Sequence, residues 1–112
     1  MLIRSQNKEV LAVFENLLDI EVSGGVISAR KDHGWCCLLG EYSTKAKSMK
    51  VLDMIQEAYE EYKINCTFLT GFIGHRTIVE SNDIRVNGFE ELVKSFKKNM
   101  VFQMPEDSEV EE

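Results

Sequence analysis

The chain has 112 residues, 44% hydrophobic and 29% charged, with a formal net charge of −6, which suits one domain with a single core and argues against two independently stable ones. No apolar run reaches the roughly 18 residues needed to span a bilayer, and the N-terminus lacks the long apolar stretch of a secretory signal. Three cysteines, two of them adjacent, do not form a disulfide framework and fit a reducing cytoplasm.

The first 42 residues hold short apolar segments separated by turn chemistry at Gln6-Asn7-Lys8, Glu15-Asn16, Ser23-Gly24-Gly25 and Asp32-His33-Gly34. This spacing predicts an antiparallel β-meander. Leu18, Ile20 and Val22 alternate with Asp19 and Glu21, the pattern of a strand with one buried face. Val26, Ile27 and Ala29 continue into a second strand, and Trp35 to Leu39 is apolar enough for a central one.

After Gly40-Glu41-Tyr42 the period changes from two to 3.6. Ser43 or Thr44 can serve as N-cap. Val51, Leu52, Ile55, Ala58, Tyr59 and Tyr62 then form one apolar stripe that should lie across the sheet. The opposite face carries Asp53, Glu57, Glu60 and Glu61. Lys45, Lys47 and Lys50 sit near the helix start, where the helix dipole favours acids, an inverted order that is locally unfavourable.

Cys66 to Thr70 and Thr77 to Val79 read as short strands, with Ser81-Asn82-Asp83 turning the second into Ile84-Arg85-Val86 as a hairpin. Asn87 caps a second helix, with Glu90 in the capping-box position and Phe89, Leu92, Val93 and Phe96 as its stripe. Val101 to Met104 is a final short strand stopped by Pro105, the only proline. The expected architecture is therefore α+β: an N-terminal antiparallel β-meander packed by an amphipathic helix, followed by a smaller β-hairpin and second helix. Residues 1–105 form the single domain, with 64–100 as an elaboration. Residues 106–112 hold five acids and no base, leaving 14 acids against 13 bases in the rest of the chain, and are expected to be a disordered acidic tail.

Thiolates and imidazoles make His33, Cys36, Cys37, Cys66 and His75 a zinc constellation to consider. It fails on spacing: Cys66 and His75 are nine residues apart, and adjacent Cys36 and Cys37 point to opposite faces of a strand. No metal or cofactor is expected. The chain has neither a nucleophile elbow nor a phosphate-binding glycine loop, so the expectation is a non-enzymatic protein.

Ile3-Arg4-Ser5-Gln6, Leu39 to Thr44, Lys50 to Gln56 and Phe102-Gln103-Met104-Pro105 together resemble a family of small proteins of phages and prophages of low-GC Gram-positive bacteria. The resemblance covers about half the chain. It implies an accessory protein of the bacterial host cytoplasm that disarms a defence system by stoichiometric binding. On one reading it is an anti-CRISPR inhibitor blocking a nucleic-acid-binding surface of an effector nuclease through Asp53, Glu57, Glu60 and Glu61, without touching nucleic acid or membrane itself. The alternative is a sponge that sequesters a nucleotide immune signal, a cyclic nucleotide or an ADP-ribose derivative. Such a sponge would use Trp35, Phe72, Arg76 and Arg85, in a homo-oligomer whose copies share the pocket.

Overall fold

The computed structural model describes residues 1–31, 36–79, 94 and 97–111, with the long helix beyond residue 68 described by its backbone alone. Its described elements are β1 (Leu2–Arg4), β2 (Leu11–Val13), β3 (Asp19–Ser23), β4 (Val26–Arg30), β5 (Cys36–Glu41), α1 (Lys45–Val79) and β6 (Val101–Gln103). Short 3-10 turns occupy Phe14–Asn16 and Asp107–Glu109. The class is α+β, with two three-stranded sheets and one long helix.

The strands do not form a single meander. β3, β4 and β5 are joined as an antiparallel meander, whereas β1 pairs antiparallel with β2 and parallel with β6 in a separate sheet of order β2-β1-β6. A parallel partner 99 positions away (Leu2 opposite Val101) has no local sequence signature, because parallel neighbours need a long crossover rather than a turn. β5, expected to be central, lies at the edge of its sheet. Its outer side meets Gln6: the Gln6 amide donates to the Leu39 carbonyl at 2.7 Å, and the Glu41 amide donates to Gln6 Oε1 at 2.9 Å.

Alternation along the strands selects the core. Ile27 and Ala29 of β4, Ile3 of β1 and Leu39 of β5 are buried, and Ile20 and Val22 of β3 pack against them. Leu18 departs from the expected pattern. It precedes β3 and is 66% exposed.

Helix α1 covers the meander with the expected stripe. Val51 and Ile55 are buried in the core, while Ala58, Tyr59 and Tyr62 pack against it. Thr44 caps the helix: its Oγ1 accepts from the Lys47 amide at 3.2 Å. Buried Ser48 ties the first turn to the β3–β4 turn by donating to the Gly24 carbonyl at 2.8 Å.

The helix continues through Val79, so the strands expected at 66–70 and 77–79 are absent. Intrinsic preferences against helix are worth at most about 0.7 kcal/mol per ordinary residue and yield to context. Local contacts supply that context: Thr67 Oγ1 donates back to the Lys63 carbonyl at 3.0 Å, and Lys63 Nζ lies 5.7 Å from the Tyr59 ring centre. The hairpin expected at 81–86 lies outside the described residues, as does most of the expected second helix. Lys94, Lys97 and Lys98 have helical backbone.

The acidic terminus corrects the expected disordered tail. Val110, the one apolar residue of the last seven, is buried in the same core as Ile27 and Val51, and Asp107–Glu109 forms a turn closed by reciprocal Glu106–Glu109 contacts. The folded unit thus runs past Pro105. Among the described residues no helix is long and apolar enough to cross a membrane.

Candidate functional site

Asp53, Glu57, Glu60 and Glu61 are all exposed on α1, as the helical period requires once Val51 and Ile55 face the sheet. Glu60 Oε1 accepts from Gln56 Nε2 at 3.2 Å. At about 1.5 Å per residue, the four acids span roughly 12 Å of helix axis.

The docked terminus extends this acidic character toward the start of the helix. Asp107 Oδ1 accepts from the Ser43 amide at 2.8 Å and from Ser43 Oγ at 3.1 Å, and lies 3.5 Å from Lys47 Nζ. Lys47 also donates to the Asp107 carbonyl at 3.1 Å, and Lys50 donates to the Glu111 carbonyl. Two of the three lysines that look misplaced against the helix dipole, Lys47 and Lys50, therefore hold the acidic segment, whose Asp107 supplies the missing negative charge. Hydrogen bonding from the Ser43 backbone, with Lys47 nearby, holds the Asp107 carboxyl below the usual range. Lys50 lies one turn before Asp53 and two before Glu57 on the same side of the helix, so the segment abuts the acidic face.

Tyr42 anchors the approach of this segment. Its hydroxyl donates to the Pro105 carbonyl at 2.7 Å, and that carbonyl also accepts from Gln6 Nε2 at 3.2 Å. Burial, reinforced by Glu106, Asp107 and Glu109, pushes the Tyr42 phenol up to about 12. Gly25 is required opposite it, because a Cβ there would stand 2.1 Å from the Tyr42 carbonyl oxygen.

A cavity of about 530 Å³ opens between α1 and the corner entering β3. Phe14, Leu17, Leu18, Ile20, Leu52, Ile55 and Tyr59 make its walls, with Asp19, Gln56 and Glu60 at its polar margin. The Phe14 and Tyr59 rings stack with centres 4.2 Å apart. Asp19 Oδ2 binds Arg30 at 2.6 Å, whereas its buried Oδ1 has no hydrogen-bond partner among the described residues.

Of the alternative ligand residues, Trp35 and Arg85 lie outside the described residues; Phe72 and Arg76 belong to α1, with side chains outside the description. His33 is also outside it, and among the described residues no group of three His, Cys, Asp or Glu side chains is placed to hold a metal. Cys36 is exposed and Cys37 half-buried, in keeping with opposite faces of β5.

The sequence reading missed Asp107 and Val110 as structural elements and the cavity as a site. The inverted lysines were the one signal for the former. Comparison with protein-family models, curated proteins and solved structures finds no match to the chain.

Proposed function

We propose that the chain is a phage-type anti-defence protein acting by stoichiometric binding, presenting the acidic face of α1 to the nucleic-acid-binding surface of an effector nuclease such as a CRISPR effector. The observation that carries this reading is the exposed set Asp53, Glu57, Glu60 and Glu61, continued by an acidic terminus that is packed against the helix start. Roughly 12 Å of helix bearing four carboxylates compares with one phosphate of each strand per roughly 3.4 Å of the duplex axis of DNA. A packed terminus supports mimicry of phosphates, because charge on a loose tail cannot reproduce their spacing.

The test is co-elution of purified protein with a CRISPR effector, paired with assays of the effector's DNA binding and cleavage. A one-to-one complex with cleavage suppressed is expected, and the triple variant Glu57→Lys, Glu60→Lys, Glu61→Lys should neither co-elute nor inhibit. Failure to co-elute, with DNA binding and cleavage unchanged, overturns the reading.

A further inference from the structure

We infer that the cavity between α1 and the β3 corner is a socket for an aromatic side chain flanked by lysine or arginine on the protein partner; this rests on the proposed function and names the chemistry of its contact. The cavity, at about 530 Å³, lies in the range of roughly 300–1,000 Å³ typical of ligand sites. Its walls are apolar and aromatic, and both charged residues among its lining, Asp19 and Glu60, are acids. Arg30 pairs with Asp19 Oδ2 at 2.6 Å and Asp19 Oδ1 is buried, so the acid that an occupant would meet is the exposed Glu60. Glu60 belongs to the acidic face itself, so the socket and that face form one continuous surface.

Charge complementarity selects the occupant. An acidic margin around an apolar hollow disfavours an acidic peptide and favours a cationic segment bearing one large apolar group. Surfaces that bind single-stranded nucleic acid have this composition, a positively charged groove with aromatic side chains on which bases stack. A mimic using the acidic face alone would satisfy the cations and leave the aromatic exposed. Here Leu17, Leu18, Leu52 and Tyr59 would bury the aromatic while Glu57, Glu60 and Glu61 meet the cations. Central buried aromatics of this kind carry most of the energy in protein interfaces.

The experiment uses the full chain, labelled with nitrogen-15, and three probe peptides: Lys-Arg-Trp-Arg-Lys, the same peptide with alanine for tryptophan, and Glu-Glu-Trp-Glu-Glu. The tryptophan-containing basic peptide should bind about tenfold tighter than its alanine counterpart, the size of a modest aromatic anchor. It should shift the amides of Leu17, Leu18, Ile20 and Gln56, and the acidic peptide should not bind. Leu18→Ser, in a wall residue that is 66% exposed and so outside the buried core, should bring the two basic peptides to equal affinity. If both basic peptides bind alike and only amides around Glu57 and Glu61 shift, the socket is overturned and the acidic face stands. If neither binds, the acidic-face reading falls and the socket with it. Equal binding of the acidic peptide, or a tryptophan advantage that survives Leu18→Ser, also overturns the socket.

Discussion

The Asp107 carboxylate accepts a hydrogen bond from the Ser43 backbone amide at 2.8 Å, joining residues 64 positions apart at the start of α1. Removing that acceptor should loosen the terminus and expose the inverted lysines to the helix dipole. Asp107→Ala should lower the urea midpoint, and Asp107→Asn should lower it less, since an amide oxygen can still accept from Ser43. Urea titrations of both variants check this order.

The same carboxyl carries a pH dependence. Its folded-state pKa is depressed, so its contribution is present above the unfolded carboxylate range near ~3.9 and is lost as pH falls through the folded value. Asp107→Asn should therefore show a shallower loss of stability on acidification than the parent, read as the thermal midpoint against pH on the acid side.

Tyr42 predicts the opposite end of the scale. With its phenol raised to about 12, the unfolded state loses that proton first, and stability should fall as pH rises from roughly 10 toward that value. Tyr42→Phe should flatten this alkaline fall. At neutral pH it should cost about 0.5–1.5 kcal/mol for the lost hydrogen bond, toward the lower figure because Gln6 still serves the Pro105 carbonyl.

Val110 tests whether the terminus belongs to the core. Val110→Ala removes the equivalent of two methylene groups from a buried site and should destabilise by about 2 kcal/mol, at roughly 0.8 kcal/mol per buried carbon plus a small cavity. A truncation of residues 106–112 should be worse than Val110→Ala. Equal stability of the truncated and full chains in urea would contradict the packed terminus.

Two neighbouring glycines should respond differently. Gly24 has φ of 59° and open space around its Cβ position, so Gly24→Ala bears only the left-handed strain of about 1–2 kcal/mol. Gly25→Ala drives a Cβ into the Tyr42 carbonyl and breaks the 2.6 Å bond from the Tyr42 amide to the Gly25 carbonyl. Its thermal midpoint should fall further than that of Gly24→Ala.

What could be read along the chain was whatever repeats within a turn or a strand. The apolar stripe of α1, the Thr44 cap, the β3–β4 hairpin and the outward placement of Asp53, Glu57, Glu60 and Glu61 all follow from local period and turn chemistry. The extent of α1 did not, because the β-branched and aromatic residues after Ile64 carry a weak strand preference that helical side-chain contacts override. The cavity was equally hidden, since Phe14 and Leu18 meet Leu52 and Tyr59 only after the chain has folded.

The sequence by itself determined an α+β domain, its principal helix and an acidic face, because periodicity fixes which side chains share a surface. Tertiary structure decided the rest: that β6 closes a second sheet beside β1, that the acidic terminus folds onto Lys47 and Lys50, and that an apolar hollow adjoins the acidic face. Each depends on groups brought together across tens of residues, where one buried valine and a few charge-assisted hydrogen bonds outweigh the preference of a polar segment for water.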